Sequence, residues 1–103
     1  RGILPNDSQR TSPAEILKAV ASHYGLKPAE LRAKTKREAI VFPRQVAMFL
    51  CKELTELSYP EIGRQLNDKH HSTVMYSVDK ILKLRATDAE LERTLDGMTR
   101  HLA

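Results

Sequence analysis

The sequence has no tryptophan, a single cysteine and only four glycines among its 103 residues. One cysteine excludes an internal disulfide and any cysteine-rich zinc site, and it is typical of a protein from a reducing compartment. The longest unbroken apolar run extends from Val46 to Cys51, far short of the roughly 20 residues that cross a membrane. The N-terminus also lacks the apolar segment of a secretion signal. We therefore expect a cytoplasmic protein without a membrane-spanning segment.

The length bounds the architecture. A chain of 103 residues can enclose one modest hydrophobic core, which is too little for a large cofactor-binding enzyme. Hydrophobic residues make up 41% and charged residues 29%, a composition typical of a globular domain rather than a disordered one. The first residue is Arg1 rather than methionine, so we expect the chain to be part of a longer protein.

Positive charge is concentrated in one stretch of the sequence. The chain has 17 lysines and arginines against 13 aspartates and glutamates, a net charge of +4. The excess is accounted for by residues 27–44, whose basic residues are Lys27, Arg32, Lys34, Lys36, Arg37 and Arg44 and whose acidic residues are Glu30 and Glu38. A second basic group consists of Lys69, Lys80, Lys83 and Arg85, opposed by Asp79. Clustered cations are typical of a surface that binds a polyanion, although a solvated charged surface is an equal alternative.

The pattern of apolar residues and capping signals predicts an all-α fold. Helix-start signals with the capping-box spacing occur at Ser12–Glu15, Ser58–Glu61 and Thr87–Glu90. A short helix is predicted over residues 27–33. The third helix is predicted to have Pro43 in its first turn and to end near Leu57.

A longer helix is predicted from His70 or His71 to Arg85, with Val74, Val78, Ile81 and Leu82 facing the core. The five aromatic residues, Tyr24, Phe42, Phe49, Tyr59 and Tyr76, are interpreted as packing residues. Residues 1–11 are polar and are interpreted as a linker, and residues 67–69 as a turn.

Residues 58–85 have the outline of a helix-turn-helix: a short capped helix, a polar turn and a longer helix. The second helix of such a unit presents its N-terminal residues to base edges in the major groove. Lys69, His70, His71, Ser72 and Thr73 stand at that position. Their imidazole and hydroxyl groups suit base edges, and the free N–H groups of the helix suit phosphates.

Four segments resemble the C-terminal domain of the DnaA family of bacterial replication initiators. They are Pro60–Arg64, Lys69–Val74, Pro43–Met48 and Cys51–Leu54, and the resemblance extends from about Ser12 to Ala103. It implies a six-helix domain with an embedded helix-turn-helix over residues 12–103, joined by the linker 1–11 to an upstream ATPase domain. The implied ligand is the DnaA box, an asymmetric nine-base-pair duplex resembling TTATCCACA at the replication origin.

The resemblance also assigns roles to individual residues. It places His70, His71, Ser72, Thr73 and Pro60 near bases in the major groove, although a simple helix-start role for Pro60 stays open. It places the basic loop, residues 34–37, in the minor groove of an A·T-rich segment, which either Lys36 or Arg37 is expected to enter. The residues expected to contact phosphates are Lys34, Arg44, Gln45, Lys52 and Lys69.

Cofactors and partners follow from the same resemblance. The chain lacks the G-x-x-x-x-G-K-[ST] pattern, so ATP is expected only in the upstream domain. We expect no catalytic residue, no metal site and no membrane contact here. The expected partner is double-stranded DNA in the nucleoid, and the full-length protein is expected to self-assemble on the origin and to meet regulatory proteins. Another helix-turn-helix regulator and a helical protein-interaction module are the alternatives.

Overall fold

The computed structural model describes residues 11–67 and 69–102, and in these residues the chain forms six helices and no strand. The helices are α1 (Pro13–His23), α2 (Pro28–Leu31), α3 (Glu38–Leu54), α4 (Tyr59–Gln65), α5 (His71–Arg85) and α6 (Ala89–Leu102). The predicted all-α fold with six helices is therefore confirmed. The predicted linker lies outside the described residues except for Thr11, and so does Asp68 of the predicted turn.

Two of the three predicted capping boxes start helices as expected. The Ser12 hydroxyl accepts the N–H of Glu15 at 3.2 Å, and the Glu15 carboxylate accepts the N–H of Ser12 at 3.1 Å. Ser58 and Glu61 make the same pair of bonds at the start of α4, at 3.2 and 2.8 Å. These bonds lower the pKa of Glu61, because they favour its ionised form. Both helices therefore begin where local sequence alone specifies the cap.

Helix α3 lies at the centre of the fold and is buried along most of its length. It packs against α1, α2, α4, α5 and α6. Its apolar residues from Val46 to Cys51 form the middle of the core, and each has an exposed fraction of 1% or less. Because α3 contacts both the residues before it and the helix-turn-helix after it, it fixes their relative positions.

The predicted bounds of α3 are wrong at both ends. The helix begins at Glu38, so Pro43 lies inside it rather than in its first turn. The free energy gained by burying Ile40 and Pro43 in the core outweighs the cost of the helical hydrogen bond that proline cannot donate. At the other end the helix stops at Leu54, because Thr55 takes an extended conformation and its hydroxyl donates to the Cys51 carbonyl at 2.5 Å.

Helix α5 buries Val74, Val78 and Ile81 as predicted, with exposed fractions of 0%, 9% and 0%. The prediction that Leu82 faces the core is wrong, since half of it is exposed. Tyr76 is also not a packing residue: 63% of it is exposed. A helix at the edge of a small fold buries one narrow stripe, and both residues lie outside the stripe formed by the three buried positions.

The start of α6 differs from the prediction by one residue. The Asp88 carboxylate accepts the N–H of Leu91 at 3.0 Å, which makes Asp88 the capping residue. The Thr87 hydroxyl instead donates to the Leu84 carbonyl at 3.3 Å, at the end of the preceding helix. The capping box predicted at Thr87 is therefore wrong, although the helix that it signalled forms and buries Leu91 and Leu95 in the core.

Candidate nucleic-acid interface

The helix-turn-helix is held together by a close approach between α4 and the turn that follows it. The backbone N–H of Lys69 donates to the Gly63 carbonyl at 2.9 Å. A side chain at position 63 would overlap the carbonyl oxygen of Lys69, so only glycine fits. Asn67 takes the left-handed conformation, with φ 65°, directly after the end of α4. These contacts fix where the next helix begins.

His70 caps the N-terminus of α5, the predicted recognition helix. Its Nδ1 accepts the backbone N–H of Ser72 at 3.1 Å and lies 2.8 Å from the Ser72 hydroxyl oxygen. The rings of His70 and His71 are neighbours, with centroids 4.3 Å apart. Through these contacts His70 holds Ser72 in the first turn of α5. His70 therefore orients a residue predicted to read a base.

The side chains predicted to reach bases form an exposed surface at the start of α5. His70, His71, Ser72 and Thr73 are all exposed, and the first buried residue of the helix is Val74. Pro60, in the first turn of α4, is exposed as well. The structure thus exposes these side chains at the protein surface, with the His70 Nδ1 and the Ser72 hydroxyl in contact with each other.

The basic loop lies next to the helix-turn-helix. Lys34, Lys36 and Arg37 are exposed between α2 and α3. Burial lowers the pKa of the Lys69 ammonium, and repulsion from Arg44, Lys34 and Lys36 lowers it further. Repulsion of this kind requires the charges to be close. The exposed cations Lys34 and Lys36 therefore lie near Lys69, in the turn before α5.

Lys52, predicted to contact a phosphate, is held at the edge of this region by an aromatic ring. Its ammonium lies 4.4 Å from the centroid of the Tyr59 ring, in the first turn of α4. Such a contact restricts the long side chain and leaves the outer side of the ammonium available. Lys52 is accordingly positioned beside the first turn of α4.

The structure buries two other predicted phosphate contacts. Arg44 is 5% exposed and Gln45 is 8% exposed. The side-chain oxygen of Gln45 accepts a hydrogen bond from the Lys80 ammonium at 3.0 Å. Arg44 donates to the backbone of the basic loop. A direct contact of either residue with phosphate stays a prediction, but both side chains already have partners within the chain.

Three residues of this region were missed by sequence reasoning. Gly63 was read only as part of a motif, yet it sets the approach of the turn. Met75 and Tyr76 are 47% and 63% exposed, and each follows a predicted base-reading residue by four positions, His71 and Ser72 respectively. Residues four apart lie on the same side of a helix. This spacing in the sequence could have indicated that both residues lie on the same side of α5 as the predicted base-reading residues.

Neither a metal site nor a reactive thiol is found in this part of the chain. Within residues 11–67 and 69–102, no three His, Cys, Asp or Glu side chains are grouped so that they could hold a metal ion. Cys51 is fully buried, and burial raises the pKa of its thiol to about 12. A thiol in that environment is not ionised near neutral pH and packs as a small apolar side chain. In the same residues no helix is long and apolar enough to cross a bilayer.

The cap at His70 makes a testable prediction. His70→Ala is expected to lower the free energy of unfolding by about 1 kcal/mol, because the Ser72 N–H loses its acceptor. His70→Asp should keep the stability, since aspartate is a strong capping residue, but its negative charge should weaken DNA binding. His70→Asn is the neutral control, which should keep the stability and weaken DNA binding less than His70→Asp does. The measurements are urea unfolding and fluorescence anisotropy with a duplex; an unaltered stability of His70→Ala would contradict the cap.

Comparison with known proteins agrees with the helix-turn-helix described above. A family model described as the bacterial dnaA protein helix-turn-helix matches residues 13–81. The chromosomal replication initiator protein DnaA of Geobacter sulfurreducens is 42% identical over 102 residues, covering 99% of this chain and 23% of that protein. The DnaA protein of Thermus thermophilus is 43% identical, and the match covers 81% of this chain and 19% of that protein. The DnaA protein of Caulobacter vibrioides is 41% identical, and the match covers 96% of this chain and 20% of that protein. The chain spans less than a quarter of these relatives.

Proposed function

The chain belongs to the family of bacterial DnaA helix-turn-helix domains, and on that premise we propose that it binds double-stranded DNA at DnaA boxes of a replication origin. In this proposal α5 enters the major groove and the basic loop enters the adjacent minor groove. The binding helps to initiate and regulate chromosome replication. The observation that carries the proposal is the exposed polar start of α5, which lies close to the exposed cations of the basic loop.

The start of α5 supplies the groups that base recognition requires. His71, Ser72 and Thr73 are exposed and polar. Imidazoles and hydroxyls can donate to or accept from base edges, and the threonine methyl can pack on the methyl of thymine. The helix N-terminus behind them favours the phosphates on either side of the groove.

The basic loop supplies the second element of the proposal. Lys34, Lys36 and Arg37 are exposed, and the charges of Lys34 and Lys36 act on Lys69. A narrow A·T-rich minor groove has an enhanced negative potential that attracts inserted basic side chains. Arg37 has the planar, weakly hydrated group that suits this environment best, and Lys36 is its immediate neighbour.

Lys52 is proposed to contact a phosphate, and its replacement should therefore weaken all DNA binding. Lys52→Ala is expected to lower affinity for a DnaA box and a scrambled duplex alike, and to reduce the slope of log K against log salt by about one. Lys18→Ala removes the same charge from α1, where the side chain lines a groove shared with α6. This control should leave the slope unaltered. Loss of only the specific complex would contradict the assignment of Lys52.

Other activities belong, in this proposal, to the remainder of a full-length initiator. The matched relatives are more than four times as long as the segment they share with this chain. We place ATP binding, self-assembly on the origin and contacts with regulatory proteins in such a full-length protein. For the present chain we propose DNA as the partner, in the nucleoid of the cytoplasm.

The proposal is tested by comparing a DnaA-box duplex with a scrambled duplex of the same composition. Fluorescence anisotropy at several salt concentrations should show tighter binding of the box, by about 10³-fold or more. With about five phosphate contacts, the log–log salt slope should be near −5 for the specific complex. Equal binding of both duplexes would contradict recognition of the box. Absence of binding at low salt would contradict DNA binding altogether and favour a protein-interaction module.

A further inference from the structure

Arg44 donates three hydrogen bonds to backbone carbonyls at the end of α2 and in the loop that follows it. Its Nε donates to the Leu31 carbonyl at 2.9 Å, Nη2 to the Ala33 carbonyl at 2.6 Å and Nη1 to the Thr35 carbonyl at 3.3 Å. All three acceptors are backbone groups from the end of α2 and the loop after it. A buried side chain on α3 thus holds the path of the loop over alternate residues.

The alternation explains how the loop presents its cations. The carbonyls of residues 31, 33 and 35 are bound by Arg44, while Arg32 and Lys34 between them and Lys36 after them are exposed. Within the loop, the Arg37 N–H donates to the Thr35 hydroxyl at 3.2 Å and the Thr35 N–H donates to the Ala33 carbonyl at 3.1 Å. The guanidinium links this loop to the buried part of α3.

Only arginine can make this set of contacts. Its guanidinium carries five N–H donors in a rigid planar fork, whereas lysine has one compact ammonium on a flexible chain. Burial lowers the pKa of Arg44, and the three carbonyl oxygens offset that cost by solvating the charge. The buried charge does not require a phosphate as its partner.

We propose that Arg44 is a positioning residue that holds the basic loop ready for the minor groove, and that it does not itself contact the DNA backbone. This inference rests on the proposed function. A loop that is ordered before binding loses less conformational freedom on entering the groove, which raises affinity and specificity there. The effect of Arg44 should therefore be confined to the base pairs that the loop meets.

The test is Arg44→Lys, titrated against boxes with single base-pair substitutions. The variant keeps a positive charge but can satisfy only part of the carbonyl set. We expect discrimination at the A·T-rich end of the box to fall roughly tenfold, equivalent to about 1.4 kcal/mol. Discrimination at the other end and the salt slope should be retained. A variant that keeps full preference at the A·T-rich end would overturn the proposal, as would a loss spread over the whole box.

A double-mutant cycle separates positioning from a general loss of stability. In protein that already carries Lys36→Ala and Arg37→Ala, the change Arg44→Lys should have no further effect on the A·T-rich end. A general structural role would still weaken binding in that background, and that outcome would overturn the proposal. If the wild-type chain fails to discriminate a box from a scrambled duplex, the proposed function is what fails.

Nuclear magnetic resonance of the wild-type chain provides a measurement that needs no variant. The Nε–H of Arg44 should exchange slowly with water in the free protein, because it is buried and bound to Leu31. Its resonance should keep its position when a DnaA-box duplex is added. The exposed Arg93 is the reference for an unprotected guanidinium. Exchange as fast as that of Arg93, or a large shift of the Arg44 resonance on DNA binding, would overturn the proposal.

Discussion

Replacing Gly63 by alanine is expected to lower the free energy of unfolding by about 2–3 kcal/mol. The added methyl group would overlap the carbonyl oxygen of Lys69, which is part of the backbone and cannot rotate away. Relief of the overlap requires the turn to separate from α4, with loss of the hydrogen bond from the Lys69 N–H to Gly63. We expect a lower urea midpoint and weaker binding of every duplex, since α5 shifts with the turn.

Gly97→Ala is the matched control for that experiment. Gly97 lies inside α6, and a methyl group there would meet no atom within 4 Å. The substitution should raise the free energy of unfolding by about 0.5–1 kcal/mol, because alanine favours the helix over glycine. Urea unfolding of both variants measures the difference. Equal effects of the two substitutions would contradict the close approach at Gly63.

The second large effect is expected on DNA binding, when exposed side chains at the start of α5 are removed. His71→Ala and Ser72→Ala should each weaken binding of a DnaA box by about 1–3 kcal/mol and leave binding of scrambled DNA nearly unaltered. Ser72→Ala keeps the backbone N–H that His70 accepts, so the helix cap survives the change. The loss then reports the hydroxyl group and not the position of the helix.

Leu82→Ala is the control on the same helix. Leu82 is half exposed and lies more than two turns beyond Ser72. Its replacement should alter neither complex, as measured by anisotropy with the box and the scrambled duplex. Should Ser72→Ala weaken both duplexes equally, the residue would be a general contact and not a reader of sequence.

Local signals in the sequence predicted helix starts well. The boxes at Ser12 and Ser58 act over four residues, so no distant contact is needed to recognise them. At Thr87 the same pattern failed because the neighbouring Asp88 offers a carboxylate one residue later. When two adjacent residues can both cap, the choice depends on how the chain leaves the preceding helix.

Errors were concentrated where tertiary packing overrides local preference. Proline at position 43 suggested a helix start, but burial within α3 sustains the helix on both sides of it. Tyr76 and Leu82 are large and apolar enough to suggest packing, yet α5 lies at the edge of the fold and they remain outside the core. The spacing of apolar residues in the sequence does not indicate how wide the buried stripe of a helix is.

The candidate site was predicted in parts and assembled only by the structure. The basic loop and the start of α5 were identified separately from charge and from the helix-turn-helix outline. Their proximity depends on α3, which joins them through contacts distant in sequence. The role of Arg44 depends on the same packing, since its acceptors lie 9, 11 and 13 residues away. The resemblance had made it a candidate for contact with a phosphate.

The central claim is that one surface reads two grooves of the same site, and methylation protection of a DnaA-box duplex tests it most directly. Dimethyl sulfate modifies N7 of guanine in the major groove and N3 of adenine in the minor groove. We predict that the wild-type chain protects guanines at the C-containing end and adenines at the A·T-rich end. With Lys36→Ala and Arg37→Ala together, only the adenine protection should disappear. Adenine protection that persists in this double variant would contradict the account.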